Sequence, residues 1–372
     1  MTRTSARKDM AGQPERTETG NSKTMLDKTD TRAYRLPADH PRVIGGKIGV
    51  LIMNLGTPEA TSYWPMRRYL KEFLSDPRVI ETNKALWWVI LNGIVLTTRP
   101  KKSGHAYEQI WNNELNESPL KTTTRSQAEQ LAGLFGKNPN IVVDWAMRYG
   151  LPPVKERIEH LKAQGCDRIV LFPLYPQYSA TTTATALDKA YEALMTMRWQ
   201  PAIRTVPPYH DDPVYIEALA DSVKAHLKTI DYKPEVIVAS FHGLPKDYLM
   251  KGDPYHCQCH KTARLLRERL GMSEKELIIT FQSRFGPSEW LKPYTDETVE
   301  SLAKDGVKNM VIITPGFSAD CVETLEEIAI GVRETFEEHG GENFSVVPCL
   351  NDSKSSVKML KHLIDRELQG WV

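Results

Sequence analysis

Short runs rich in valine and isoleucine alternate with longer helical stretches along most of this chain of 372 residues. Each run ends in glycine, proline or small polar residues, a pattern that is typical of βαβ units and parallel sheets. The predicted strands are Ile48–Asn54, Ile141–Met147, Arg168–Leu174, Ala202–Val206, Val236–Phe241, Leu277–Gln282, Met310–Thr314 and Phe344–Val347. The alternation therefore predicts an α/β fold.

The last four predicted strands repeat the pattern of the first four. Corresponding segments are 52–58 (IMNLGTP) with 239–245 (ASFHGLP), 148–150 (RYG) with 284–286 (RFG), and 173–180 with 315–319. Because the matches occur in the same order, we infer that the chain holds two copies of one unit. This duplication predicts two α/β units with parallel sheets, whose strand ends face one cleft.

Domain boundaries follow from the repeat. The first domain is predicted over residues 46–210 and the second over 211–352. Residues 1–45 are polar and mixed in charge without apolar periodicity, which predicts a disordered tail. Residues 353–372 carry apolar side chains at the spacing of one helical face, so we expect a helix that packs on the first domain.

Charge and cysteine content exclude several classes of protein. Lys and Arg total 48 against 47 Asp and Glu, a net charge of +1 without a basic stripe, which argues against nucleic-acid binding. Five cysteines without a secretory leader indicate a reducing compartment, and a cytoplasmic protein is expected. Neither G-x-G-x-x-G nor a P-loop follows a predicted strand, so no nucleotide cofactor is expected.

The longest apolar run extends from Ala85 to Leu96 (ALWWVILNGIVL). It is too short to span a membrane, because a spanning helix needs about 20 such residues. The run either contacts a membrane surface, lines an apolar cleft or forms a buried helix. A peripheral contact with the inner face of a membrane through 85–96 is therefore one expectation.

The two copies differ at the positions that follow their strands, where ligands bind in open parallel sheets. His242 in the second copy takes the place of Leu55 in the first. Glu323 and Glu327 stand where the first copy has an alanine and an aspartate. This asymmetry predicts that the chemistry is located on one wall of the cleft and that the other wall binds the ligand.

These side chains have two interpretations each. His242 is either a base with an ordinary pKa of about 6.5 or a histidine that is hydrogen-bonded in a turn. Glu323 and Glu327 share a helix face with Asp320 one turn earlier, which suits a path for a hard cation. Alternatively, Asp320-x-x-Glu323 is a capping box at the start of a helix.

The segment His256-Cys257-Gln258-Cys259-His260 contains residue types that bind metals. Structural zinc and iron–sulfur sites need about four ligands, and the remaining cysteines are scattered. Free thiols in a turn are the simpler interpretation.

Taken together, several motifs resemble the ferrochelatase family from about Ile48 to Asp352. They are 53–59 (MNLGTPE), 175–179 (YPQYS), 240–245 (SFHGLP), 252–255 (GDPY), 285–291 (FGPSEWL), 295–297 (TDE) and 323–327 (ETLEE). The resemblance implies an enzyme that inserts Fe²⁺ into protoporphyrin IX, releasing two protons and forming protohaem, the last step of haem biosynthesis. Protoporphyrin IX and ferrous iron would be its substrates. The resemblance further implies two Rossmann-like domains with parallel sheets and an active-site cleft between them.

The resemblance also implies roles for individual residues. His242 and Glu323 would be catalytic. The residues that would bind the metal are His242, Glu323, Glu327 and Asp320. Residues implied to contact the porphyrin or the cleft lip are Arg99, Tyr107, Ser118, Tyr255 and Trp290. Positions that follow the predicted strands add Leu55, Arg148, Tyr149 and Tyr178 as substrate-binding candidates.

The sequence departs from some relatives at its end. It stops at Val372 without the cysteine-bearing extension that holds an iron–sulfur cluster in those relatives, so that type of cluster is not expected. Cys257 and Cys259 would be the ligands only if a different cluster existed. Two other functions stay open: a chelatase for coproporphyrin, or for cobalt and a corrin precursor, and a non-catalytic carrier of haem or a metallophore.

Overall fold

Two parallel sheets of four strands each form the frame of the molecule, which a computed structural model describes for residues 39–40, 43–286 and 288–372. The strands are β1 (Lys47–Thr57), β2 (Ile141–Gly150), β3 (Cys166–Pro173), β4 (Ala202–Thr205), β5 (Val236–His242), β6 (Leu277–Gln282), β7 (Asn309–Ile313) and β8 (Asn343–Val347). All eight predicted strands are thus confirmed, with shifts of up to three residues at their ends. The predicted tail over 1–45 lies almost entirely outside the described residues.

The sheets have the same strand order. It is β2-β1-β3-β4 in the first sheet and β6-β5-β7-β8 in the second, and every pairing is parallel. A π-helical segment follows the third strand of each copy, at Ala180–Ala184 and at Glu323–Val332. The predicted fold class, two duplicated Rossmann-like units, is therefore confirmed.

One glycine in each copy lets neighbouring strand ends approach. Gly56 has a φ of +112°, and a Cβ there would lie 1.8 Å from the carbonyl oxygen of Tyr149. At the corresponding position, a Cβ on Gly243 would lie 2.6 Å from the carbonyl oxygen of Gln282. The shared motif around these glycines therefore reflects the same close approach of the first and second strands of each copy.

Helices cover both faces of the sheets. In the described chain they are α1 (Tyr63–Leu74), α2 (Lys84–Ile90), α3 (Leu96–Ile110), α4 (Pro119–Phe135), α5 (Val154–Ala163), α6 (Thr185–Met195), α7 (Pro213–Leu227), α8 (Lys246–Met250), α9 (Tyr255–Leu270), α10 (Thr295–Lys304), α11 (Arg333–Glu338) and α12 (Lys354–Leu368). A further π-helical segment, Leu91–Val95, joins α2 to α3. None of the helices in the described ranges is long and apolar enough to cross a membrane.

The two sheets share one hydrophobic core. Val50 and Ile52 of β1 belong to the same buried cluster as Ile237 and Ala239 of β5, together with residues of α4, α7, α9 and α12. The opposite face of each sheet packs on helices of its own copy. Burial on both faces explains why the strands are continuous runs of valine, isoleucine and leucine.

The C-terminal helix α12 lies within this shared core. Ser353 caps it by accepting a hydrogen bond from the backbone N–H of Ser356. The helix contacts α4 and β3 of the first copy and also α7. The domain boundaries at 210 and 352 stay predictions, because a common core joins the two copies.

Candidate active site

A cavity of about 1320 Å³ lies at the carboxyl ends of the strands of both sheets. Its walls include residues that follow β1, β3, β5, β6 and β7, and parts of α1, α2, α3 and α8. About half of its lining residues are aromatic or aliphatic, and charged side chains of both signs and His242 are also present. Such a shape and lining suit a large apolar ligand that carries a small number of polar groups.

The cavity brings together eight of the side chains that the sequence nominated. They are Leu55, Arg99, Tyr107, His242, Tyr255, Trp290, Glu323 and Glu327. The other five nominated residues, Ser118, Arg148, Tyr149, Tyr178 and Asp320, are not part of this lining. His242 and Glu323 both affect the pKa of Glu327, so these three side chains lie near one another in the lining.

His242 is the last residue of β5. Its Nδ1 lies 2.6 Å from the carbonyl oxygen of Gly243. Because a carbonyl can only accept, Nδ1 carries the hydrogen and Nε2 keeps its lone pair. The turn and the base that the sequence left as alternatives are thus compatible: the turn fixes the ring and leaves Nε2 free to accept a proton or bind a metal.

Glu323 and Glu327 lie on the π-helical segment Glu323–Val332. Ser283 donates a hydrogen bond of 2.5 Å to Glu327, and its own backbone has a φ of +65°, which is rare for a residue other than glycine. Burial raises the pKa of Glu327, and the hydrogen bond from Ser283 and the nearby His242 offset this only in part. Glu327 is thus a carboxyl group that takes up a proton more readily than an exposed glutamate.

A buried chain of hydrogen bonds connects the strand of His242 to the helix of Glu323. Gln282 donates from Nε2 to the carbonyl oxygen of Glu323 at 2.9 Å and accepts at Oε1 from the hydroxyl of Ser240 at 2.7 Å. Ser240 contacts Thr295, which donates to Thr280. Because all four of these residues are buried, the chain fixes the start of the π-helical segment relative to β5.

Two phenols and a thiol surround Glu323. Burial raises the pKa of Tyr69 and of Tyr107, and the charge of Glu323 raises both further. Burial likewise raises the pKa of the Cys321 thiol, and Glu323 adds to this effect. These three groups therefore stay neutral and carry no charge that could pair with the Glu323 side chain.

The cavity also holds cationic and aromatic groups. Arg99 and Lys102 stand three residues apart on α3, and neither forms an ion pair with a described residue. The guanidinium of Arg99 lies 5.3 Å from the ring centroid of Phe285. The indole nitrogen of Trp290 and the hydroxyl of Tyr175 are buried without a hydrogen-bond partner in the described chain.

The sequence predicts that Asp320 contributes to an acidic path, but its side chain is engaged in local hydrogen bonds and does not line the cavity. Its carboxylate accepts hydrogen bonds from Asn351 at 2.6 Å and from Thr324 at 3.0 Å, and its backbone N–H donates to Asn351. Asp320 therefore anchors the loop before the π-helical segment to the loop before α12. The capping box is also wrong, because Thr324 rather than Glu323 reaches back to the backbone, at Cys321.

Arg148 lines a different cavity, and both Arg148 and Tyr149 contact a buried carboxylate. Arg148 pairs with Asp76, and both side chains are 5% exposed; the hydroxyl of Tyr149 donates to the same carboxylate at 2.9 Å. Arg148 also donates to Thr185 at 2.6 Å and lines a separate charged cavity of about 710 Å³. A position just after a predicted strand therefore does not by itself determine which of the two cavities the side chain enters.

Ser118 and Tyr178 also lie outside the large cavity. Ser118 is buried and caps α4 by accepting from the backbone N–H of Lys121. The backbone N–H of Tyr178 donates to Gln258 at 2.7 Å. Both residues are thus engaged in local structure near the site.

The segment 256–260 is helical, which corrects the expected turn. It begins α9, where the Cys257 thiol is exposed and Cys259 is fully buried. Two thiols in such different surroundings do not form a shared pair of cluster ligands. Within the described ranges, no three His, Cys, Asp or Glu side chains are grouped as a metal site.

The fold is shared with solved chelatases. The structure of SirB from Bacillus subtilis with Fe³⁺ superposes with a TM-score of 0.51 at 14% identity, over 86% of this chain and 95% of that chain. This likeness shows that the two proteins share a fold.

Sequence comparison gives the family. The ferrochelatase family model matches residues 47–368. The ferrochelatase of Agrobacterium fabrum is 63% identical over 92% of this chain and 99% of its own length. That of Allorhizobium ampelinum is 62% identical over 91% of this chain and 98% of its own length. This chain belongs to the ferrochelatase family, which confirms the resemblance of its motifs.

Several residues of the site were not nominated from the sequence. Lys102 could have been found, because it lies one helical turn after Arg99 on the same face. Gln282 ends a predicted strand and Ser283 follows it, but nothing in the sequence gives the positive φ of Ser283 or the partner of Gln282. Tyr69 and Cys321 carry no sequence signal of their own, since both read as ordinary core residues.

Proposed function

We propose that this protein inserts Fe²⁺ into protoporphyrin IX to form protohaem, as the last step of haem biosynthesis. Two N–H bonds of the macrocycle break, four iron–nitrogen contacts result, two protons are released, and iron stays in the ferrous state. The observation that carries this proposal is the placement of an imidazole and two carboxyl groups, His242, Glu323 and Glu327, on one region of a cavity of about 1320 Å³.

His242 is proposed to accept a pyrrole proton at Nε2. Its Nδ1 is engaged with Gly243, so the ring has one fixed basic nitrogen. Glu323 would guide iron or the second proton, and Glu327 would extend this acidic path. An imidazole nitrogen also binds Fe²⁺, so metal ligation by His242 is the alternative to proton transfer. Asp320 is not included, because its carboxylate is held by Asn351 and Thr324.

Arg99 and Lys102 are proposed to bind the carboxylates of the porphyrin. Both line the cavity, and neither forms an ion pair with a described residue. Lys102 does interact with Glu326 of the same lining, because its charge offsets part of the rise in pKa that burial gives Glu326. Leu55, Tyr107, Tyr255 and Trp290 would contact the macrocycle. An apolar ring that carries carboxylates matches a lining that combines aromatic side chains with these two cations.

The segment 85–96 is proposed to touch a membrane surface. Leu86, Trp88, Val89 and Ile94 are each at least 58% exposed, whereas Leu86, Trp87 and Ile90 also line the cavity. An exposed apolar helix beside the cavity mouth would let an apolar substrate enter from the lipid. Sedimentation with lipid vesicles tests this: Trp88→Glu should bind less than the unaltered protein, and equal binding would contradict the proposal.

Substrate identity is tested by anaerobic incubation with Fe²⁺ and either protoporphyrin or coproporphyrin. We expect haem absorbance to appear faster than without enzyme, with protoporphyrin as the better substrate. Faster metallation of coproporphyrin would change the assigned substrate and leave the reaction class intact. Tight binding of haem without metallation of either ring would contradict an enzyme and favour the carrier.

A further inference from the structure

The first two turns of α9 carry a pair of histidines that the proposed reaction does not use. His256 and His260 are four residues apart, and their ring centroids lie 4.4 Å from each other. Neither imidazole hydrogen-bonds to a described residue. The rings instead face Phe281, at 5.8 Å from His256 and 6.2 Å from His260.

This geometry suits two ligands of one metal ion. An imidazole nitrogen lies about 2.0–2.1 Å from a bound zinc ion, so the ring centroid lies roughly 3.2 Å from the metal. Two such centroids are roughly 5.2 Å apart at a tetrahedral angle and roughly 4.5 Å apart at a right angle. Helix geometry puts residues i and i+4 on the same face. The observed spacing of 4.4 Å is close to the value for two ligands at a right angle, as in a six-coordinate ion that also binds water.

The surroundings of the pair favour a borderline cation over a hard one. Burial lowers the pKa of both imidazoles, so they are neutral and able to bind metal at neutral pH. No carboxylate joins them: within the described chain no third His, Cys, Asp or Glu completes a group. Mg²⁺ and Ca²⁺ need oxygen ligands, whereas imidazoles bind zinc, nickel and copper.

We propose that His256 and His260 form a two-imidazole site for a late first-row divalent cation such as Zn²⁺, with water as the remaining ligands. Stacking on the buried Phe281 holds the His256 ring, with an angle of 17° between the two planes. The more exposed His260 leaves the site open to solvent. The inference rests on α9 and β6 alone and does not depend on the proposed function.

Zinc binding to the full chain tests the site. Metal-free protein is titrated with Zn²⁺ against a chromophoric indicator, with Mg²⁺ present in excess. We expect His256→Ala and His260→Ala each to lower the affinity for one equivalent of zinc by roughly 100-fold, because the second imidazole acts as an intramolecular ligand. Iron insertion by both variants should stay unchanged.

Matched controls separate this site from others. His362→Ala removes an exposed histidine on α12, and Cys257→Ser removes the neighbouring thiol; both should bind zinc as the unaltered protein does. Melting temperatures confirm that the variants fold, and His260→Ala remains informative if His256→Ala does not. Unchanged zinc binding in His260→Ala, or an equal loss in Cys257→Ser, would overturn the two-imidazole assignment.

Discussion

Glu323 and Glu327 are four residues apart, yet their side chains lie in different surroundings. Glu327 is buried and accepts from Ser283, and burial raises its pKa. The neighbours of Glu323 include the neutral phenols of Tyr69 and Tyr107 and the thiol of Cys321. Neighbouring carboxyl groups in unequal environments can divide the roles of proton acceptor and metal contact.

The raised pKa of Glu327 predicts how Glu327→Gln changes stability with pH. A carboxyl group whose folded pKa is raised stabilises the fold only while it is protonated, so its contribution is complete at low pH and is lost as pH rises through the folded pKa. The glutamine does not titrate. Melting temperatures should therefore be similar near pH 4 and higher for the variant at pH 8. A variant that is less stable at pH 8 would contradict this reading.

Arg99 and Lys102 should contribute to binding rather than to chemistry. We expect Arg99→Gln and Lys102→Gln to raise the KM for protoporphyrin roughly tenfold each, since a charge-assisted hydrogen bond contributes about 1.5–3 kcal/mol. The kcat should stay within a few-fold of its value in the unaltered protein. Lys101→Gln, an exposed neighbour that does not line the cavity, is the matched control. A fall in kcat without a rise in KM would exclude the assignment.

The sequence could identify which types of residue belong to the site, but it could not tell for every side chain which cavity it enters. His242 and Glu323 were predictable, because each replaces a non-titratable residue of the other copy. Arg148 was misplaced because a strand end borders two cavities, and the buried partner Asp76 that decides between them lies far away in the sequence. Ser283 was missed because its role depends on a positive φ.

Among the elements, the π-helical segment Glu323–Val332 is fixed at its start by side chains of β5 and β6. Gln282 joins the carbonyl of Glu323 to the hydroxyl of Ser240, two residues before His242. π-Helical geometry is rare and occurs often at functional sites. The position of Glu323 relative to His242 therefore depends on this buried chain of hydrogen bonds.

Gln282→Leu should lower kcat roughly 10- to 100-fold, because small displacements of a reacting group are costly. Porphyrin affinity should change little, since the cavity lining is retained. Thr280→Val, which removes the far end of the same chain, is the matched control and should lower the melting temperature without this loss in kcat. Equal losses in both variants would indicate a purely structural role for Gln282.

Strands could be predicted well, whereas the π-helical segments could not. Runs such as Leu277–Gln282 are short, β-branched and bounded by turn residues, which leaves few alternatives. An i, i+4 spacing such as Glu323 and Glu327 fits both α- and π-helices, so the sequence does not distinguish them. The exposure of the run around Trp88 was also open, because composition alone does not tell which neighbour covers a helix.

In the whole molecule, the two copies share a single core in the residues that the structure describes. Ile52 of the first sheet and Ile237 of the second are buried in one cluster, and α12 contributes Leu360 and Leu363 to it. The duplication was readable from repeated motifs, but the joining of the cores was not, because that depends on which faces of α4, α7 and α12 meet. Separate domain cores were the simpler expectation from length alone.

A shared core predicts a single unfolding transition. Leu363 is fully buried, so Leu363→Ala should cost about 2–5 kcal/mol and shift the whole transition to lower temperature. Lys358→Ala on the exposed side of α12 should leave it unchanged. Calorimetry that resolved two transitions, with only one of them shifted in Leu363→Ala, would show that the copies unfold independently.

His242 is proposed to act on the bound porphyrin without being needed to bind it. The most direct measurement compares His242→Ala with the unaltered protein under anaerobic conditions, following porphyrin binding by fluorescence and haem formation by absorbance. We predict porphyrin affinity within a few-fold and a loss in haem formation of roughly 10²–10⁴-fold, the range of a positioned base. Haem formation near the original rate in His242→Ala would contradict the account.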